Sequence, residues 1–90
     1  LETDVRRAHR EAELSQRALA AMRELVEAAQ EQSRVSRLEY QAGRTTAYDL
    51  VSVETDLAEA EFGESQVLVR VAHAASELRR LTTPVTRRDR

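Results

Sequence analysis

The side chains with the clearest chemical capacity in this sequence are carboxylates crowded into one short stretch. Five acidic residues fall within eleven positions, and no basic residue separates them: Glu54, Asp56, Glu59, Glu61 and Glu64. Rings of carboxylates bias pores toward cations, so this set is a candidate for an electronegative channel lining. A solvated helix face explains the same residues, and the sequence leaves both interpretations open.

Other residue types with catalytic or ligand chemistry are scattered. His9 and His73 are isolated, and an antiparallel arrangement would place both toward the open end of a hairpin. No general base accompanies the serines, and no phosphate loop, zinc spacing or metalloprotease motif is present. The chain has no cysteine, which excludes disulfides and thiolate zinc sites. We therefore expect no enzymatic activity, no cofactor and no metal.

The composition is typical of long helices or coiled coils. Charged residues make up 33% of the 90 residues and aromatic residues 3%, with two glycines and one proline. The net charge of −2 provides no basic field, so we expect no nucleic-acid partner. Because no apolar run reaches roughly 18–20 residues and no signal peptide opens the chain, we interpret it as a soluble segment of a larger protein.

The elements that position these residues are organised around a turn at Gly43. Glycine tolerates a positive φ and suits the left-handed position that ends a helix. Thr45 or Thr46 then serves as the N-cap of the next helix. Asp49 follows Thr46 by three residues, as in a capping box whose carboxylate reaches back to an orphan N–H. The sequence thus predicts a helix–turn–helix reversal.

The expected fold is all-α, a long antiparallel two-helix coiled-coil hairpin. The helices are expected at about 3–41 and about 46–82, joined by a turn at 42–45. Pro84 cannot continue the second helix, so the hairpin domain is assigned to residues 1–84 and residues 85–90 to a disordered tail.

Each predicted helix carries two seams of apolar and small residues at spacings of three and four. The first seam of the N-terminal helix contains Val5, Ala8, Ala12, Ser15, Leu19, Met22, Val26, Ala29, Ser33, Ser36 and Tyr40. Its second seam contains Leu14, Ala18, Ala21, Leu25, Ala28, Gln32 and Val35. Since one partner helix needs only one seam, two seams predict two neighbours. The polar residues Gln32, Ser33 and Ser36 predict looser packing toward the turn.

The C-terminal helix repeats this arrangement. Its first seam contains Val53, Leu57, Ala60, Glu64, Val67, Val71, Ala74, Leu78 and Leu81. Its second seam contains Val51, Thr55, Ala58, Phe62, Ser65, Val69, Ala72 and Ser76. Gly63 interrupts a pattern of good helix formers, either to permit a close backbone approach beside Phe62 or because neighbours hold the helix. Exposed second seams predict that the isolated chain self-associates.

The turn and its flanks resemble the TolC family of outer-membrane efflux proteins. The resemblance rests on a fixed spacing of Tyr40, Gly43, Thr46, Asp49, Leu50 and Val51, followed by an Ala- and Glu-rich helix. In that family the pattern lies at the periplasmic tip of a long helical hairpin. The resemblance implies a segment of a homotrimeric α-helical barrel, a passive export duct in the outer membrane. The implied partners are a periplasmic adaptor protein and an inner-membrane transporter.

The resemblance also implies roles for residues at the tip. It places adaptor docking at Ala42, Gly43 and Arg44, and entrance or gating contacts at Tyr40, Thr46 and Asp49. An aspartate at this place faces the narrow entrance of the family's ducts, whereas local capping also explains Asp49.

The chain departs from the family's archetype at two tip positions. Ser52 replaces a second carboxylate and Thr45 replaces an arginine. We therefore expect a weaker ring of charge and do not assume the entrance-closing contacts of that arginine.

Two alternative assignments fit a helical hairpin. One is the hairpin of a periplasmic adaptor, whose tip usually carries Arg, Leu and Ser; Arg37-Leu38 is a faint match. The other is a generic coiled-coil interaction module. Flanking segments of the full-length gene product would discriminate between them, since an efflux channel needs membrane strands and an adaptor needs lipoyl or β-barrel segments.

Overall fold

A computed structural model describes residues 2–82 of the chain as two long helices. Helix α1 spans Glu2–Gln41 and helix α2 spans Ala47–Thr82, packed antiparallel in a hairpin of 67 × 26 × 15 Å. The described part contains no strand, so the predicted all-α hairpin is confirmed. The tail predicted at 85–90 lies outside the described residues.

The helices begin and end where local chemistry favours it. No glycine or proline interrupts α1, and its first turn carries Glu2 and Asp4, which suit the positive end of the helix dipole. The last turn of α2 carries Arg79 and Arg80, which suit the negative end. The charges at the ends stabilise two helices of 40 and 36 residues, each of which is continuous.

The first seams form the contact between the helices. The buried side chains are all first-seam residues: Ala8, Ser15, Leu19, Val26, Ser33 and Ser36 from α1, and Ala60, Val67 and Ala74 from α2. Most of them are small, so the helices approach closely and the apolar area buried per residue is modest. The hairpin therefore depends on a narrow line of contacts rather than on a wide core.

The second seams remain exposed along the hairpin. Leu14 and Leu25 of α1 are 55% and 53% exposed, and Val51, Phe62 and Val69 of α2 are 61%, 66% and 70% exposed. Exposed apolar stripes of this kind, one on each helix, mark interaction surfaces. One hairpin therefore uses only half of the packing surface that its sequence provides.

Packing near the turn is tighter than the sequence predicted. Ser33 and Ser36 are only 2% and 8% exposed, and Ser33 Oγ donates a 2.9 Å hydrogen bond to Glu54 Oε2 of the facing helix. The prediction of loose packing at these serines was wrong because a small hydroxyl side chain lets the backbones approach and finds a partner across the interface.

Gly63 has a specific packing role. A Cβ at this position would lie 2.6 Å from Cε of Met22, so the absence of a side chain gives the methionine its place against α2. The close neighbour of Gly63 on the facing helix is the Met22 side chain, and no backbone atom of that helix is among the nearest atoms. The clashing atom is the end of a flexible side chain, so an added methyl group displaces Met22 rather than the backbone.

We expect Gly63→Ala to change the free energy of unfolding by less than about 0.5 kcal/mol. The gain in helix propensity of about 1 kcal/mol is offset by displaced Met22 packing. In a Met22→Ala background the same change should stabilise the hairpin by about 1 kcal/mol. Thermal unfolding of the four variants in a double-mutant cycle measures this coupling. Equal effects of Gly63→Ala in both backgrounds would show that the contact carries no energy.

Candidate functional site at the hairpin tip

The end of α1 is a Schellman motif built on Gly43. Gly43 has φ 75°, and no other described residue has a positive φ. The Arg44 N–H donates to the Glu39 carbonyl at 2.8 Å, and the Gly43 N–H donates to the Tyr40 carbonyl at 3.0 Å. This pair of bonds satisfies the last carbonyls of the helix and reverses the chain direction within a few residues.

The start of α2 is capped by Thr46. Its hydroxyl accepts the Asp49 N–H at 3.1 Å, and its carbonyl accepts the Leu50 N–H at 3.0 Å. The predicted reach of the Asp49 carboxylate back to a backbone N–H is not among the hydrogen bonds described. Instead, Asp49 Oδ2 accepts the Thr45 hydroxyl at 3.2 Å. Asp49 therefore has a local partner at the N-terminus of α2, where a negative charge is favoured.

The turn brings the predicted tip residues to one end of the hairpin. Ala42, Gly43 and Arg44 are exposed, and no atom outside these three residues lies within 4 Å of a Cβ built on Gly43. Two tyrosines flank the turn, Tyr40 at 45% and Tyr48 at 81% exposure. The tip therefore presents exposed backbone between two aromatic rings, which is a surface suited to protein contact.

The sequence analysis did not predict a polar network that lies next to the turn. Arg37 Nε donates to Glu54 Oε2 at 2.8 Å, its second nitrogen donates to Oε1 at 3.3 Å, and Ser33 adds a third donor. These hydrogen bonds from Arg37 and Ser33 lower the pKa of the Glu54 carboxyl. The available signal was the i, i+4 spacing of Ser33 and Arg37 on the face that meets α2.

We expect Glu54 to make hairpin stability depend on acid. Because the folded-state pKa of Glu54 is lowered, the folded state binds fewer protons than the unfolded state. The contribution is present above the unfolded pKa and is lost as pH falls through the folded pKa. Between about pH 6 and pH 3, Glu54→Gln should therefore lose less stability than the parent chain, as measured by urea unfolding. Identical acid dependence of the two proteins would contradict this.

The five clustered carboxylates do not form one solvated face. Glu54 and Glu64 face α1, where Glu54 binds Arg37 and Glu64 lies 3.5 Å from Arg23. Asp56 and Glu59 line a groove on the other side of the hairpin, together with Leu25 and Ala28. These carboxylates are neighbours in sequence, but two of them pair with α1 and two of them line a groove.

The histidines also lie apart. His73 lines a groove with Asp4 and Glu77, whereas His9 lies beside Gln16 and Leu78 on the other side of the contact. Among residues 2–82, no group of three or more His, Cys, Asp or Glu side chains is arranged to hold a metal ion.

Neither a family model, nor a curated protein, nor a solved structure matches this chain. Within residues 2–82, neither helix combines the length and apolarity that crossing a membrane requires.

Proposed function

We propose that this hairpin is a wall segment of a trimeric outer-membrane export duct of the TolC type. The observation that carries the proposal is the exposed second seam on each helix. At about 100° per residue, this seam lies roughly 100° from the contact face on α1 and roughly 150° from it on α2. A helix in a ring of helices touches a neighbour on each side and needs two separate packing faces. Both helices meet that requirement over most of their length.

The tip supports the same proposal. The spacing from Tyr40 to Asp49 that resembles the family falls on a Schellman motif followed at once by an N-cap. Gly43 leaves open space where an adaptor's hairpin would approach. In this proposal the duct is passive, the adaptor contacts residues 42–44, and rearrangement of the tips opens the periplasmic entrance. The segment belongs to the periplasmic part of the protein, with an inner-membrane transporter supplying the energy.

Asp49 provides the test of the entrance. We expect Asp49→Asn in the full-length gene product to lower cation selectivity in single-channel recordings, because it removes the charge and keeps an acceptor for Thr45. Asp49→Ala should in addition cost about 1 kcal/mol of stability, since it removes the side-chain partner at the helix start.

A matched control is Glu27→Gln, which removes an exposed charge farther from the turn and outside the acidic set of α2. It should change selectivity less than Asp49→Asn. Unchanged conductance and selectivity in Asp49→Asn would assign the residue to local capping alone and remove the entrance from the proposal.

The ion pair between Arg37 and Glu54 weakens the adaptor alternative. An adaptor tip of the Arg, Leu and Ser type needs its arginine available to a partner, whereas Arg37 is bound to Glu54 within the hairpin. Leu38 is 55% exposed and remains available for contact. We therefore retain the adaptor hairpin and a generic interaction module as second candidates, below the duct.

A further inference from the structure

One face of the hairpin combines an apolar helix surface with a charged one. The second seam of α1 forms the apolar half. Leu25, Ala28 and Gln32 share a groove with Asp56 and Glu59, and farther toward the open end Glu11 shares one with His73 and Glu77. We define the charged row as the α2 residues on this face at spacings of three and four: Asp56, Glu59, Gly63, Gln66, Arg70, His73 and Glu77.

The charged row changes sign along α2. Residues 47–64 contain six carboxylates and no arginine or lysine, whereas Arg70 and His73 follow in the next turns. Among the described interactions, Asp56, Glu59 and Arg70 have no ion-pair partner. The row carries Asp56 and Glu59 on one side of its midpoint and Arg70 and His73 at matching distances on the other, whereas Glu77 at its end is paired with Arg80. This central part of the row is complementary to a second copy of itself running in the opposite direction.

We propose that two copies of this chain, when they are not assembled in the proposed duct, pair through this face with their tips at opposite ends. The α2 helices then run antiparallel about a two-fold axis between Gly63 and Gln66. In that register Glu59 lies opposite Arg70 of the second copy, and Asp56 lies opposite His73 of the second copy. Two-fold symmetry repeats each pair, so four complementary contacts form along the row.

The same axis brings the apolar halves into register. The ion pair between Arg23 and Glu64 places these two residues at one level of the hairpin. The axis therefore crosses α1 near Arg23, between Ala21 and Leu25. Each Ala21 then faces Leu25 of the second copy, and each Ala18 faces Ala28. Because each pair contains at least one alanine, the two α1 helices can approach closely in a four-helix bundle.

The opposite arrangement, with the tips together, is disfavoured by desolvation. A two-fold axis along the helices would place the second seam of α1 on the charged row of the second copy. Leu25 and Ala28 would then cover Gly63 and Glu59 without supplying a cation or a hydrogen-bond donor. Burial of unpaired charges is costly, so the face selects the arrangement with opposed tips.

A spin label at the tip of each copy measures whether the two hairpins point in the same direction or in opposite directions. The chain has no cysteine, so Tyr48→Cys provides a single labelling site at an 81% exposed position. Residue 48 lies about 16.5 residues from the proposed axis, so opposed tips predict a label separation of about 50 Å at roughly 1.5 Å per residue. A separation below about 30 Å would overturn the opposed arrangement. Because the proposed duct aligns its tips, such a short distance would leave the proposed function standing.

Charge reversal tests the register. Glu59→Arg and Arg70→Glu should each weaken dimerisation about tenfold in sedimentation equilibrium, because each places like charges opposite one another twice. The double variant restores opposite charges and should return the dimer to within about threefold of the parent. Glu61→Arg, outside the charged row, is the control and should change the affinity less than threefold. A strict monomer at millimolar concentration, or no rescue by the double variant, would refute the pairing.

Discussion

Val67→Asp should abolish the helical hairpin. Val67 is 8% exposed and lies at the middle of the first seam of α2, where a carboxylate would be buried against α1 without a partner. An uncompensated buried charge costs about 3 kcal/mol or more, which is comparable to the whole stability expected from so small a core. Circular dichroism should therefore show a largely unfolded chain at 25 °C and neutral pH.

The matched control lies two residues away. Val69 is 70% exposed on the second seam, so Val69→Asp should leave the helical signal of a folded hairpin intact. Its effect should appear only where that seam meets another helix, as reduced assembly of the full-length protein. Equal unfolding by the two substitutions would show that the hairpin contact is not confined to the first seam.

Gly43→Val should destabilise the hairpin by about 1–2 kcal/mol. An L-residue at φ 75° meets its own carbonyl, and a β-branched side chain makes this worse. The cost arises from the backbone conformation, because no atom outside residues 42–44 lies within 4 Å of the added Cβ. Urea unfolding of the parent and the variant measures it.

Gly43→Asn separates backbone strain from side-chain bulk. Asparagine visits the left-handed region more readily than valine, so this variant should recover at least half of the lost stability. If asparagine and valine destabilise the hairpin equally, the Schellman motif does not require the left-handed conformation at this residue.

Much of the fold could be predicted from spacing alone. The first seams run at intervals of three and four along both helices, and a single glycine falls between them, so a reversal there brings the two seams together. Leu19, Val26 and Val67 are buried as this pattern requires. The hydrophobic pattern determines where the helices form, because neither helix contains a proline and Gly63 does not break α2.

The cross-helix contacts could not be predicted in the same way. Whether Ser33 and Arg37 meet Glu54, or Met22 meets Gly63, depends on the helix register, which the turn geometry sets to within a residue. Heptad spacing is satisfied by several registers, so it does not choose among them. Ser33 illustrates the consequence, since its polarity predicted loose packing and its position across from Glu54 buries it.

The candidate site likewise has a part that could be predicted from the sequence and a part that could not. The chain reversal at Gly43 and the cap at Thr46 follow from local residue chemistry, and both are present. The side chain of Asp49 instead binds Thr45, a choice between two nearby donors that spacing does not determine. A lumen forms only when several hairpins assemble, so the environment of Asp49 in a duct is set by contacts between chains.

The most direct test of the proposed duct is efflux by cells whose only copy of the full-length gene carries a tip variant. Gly43→Val should lower efflux strongly although the trimer still assembles, because it both strains and blunts the surface proposed to dock the adaptor. Glu61→Gln, an exposed change away from the tip, should leave efflux at the parent level. Normal efflux with Gly43→Val in an assembled trimer would contradict the account and leave residues 42–44 as an ordinary turn.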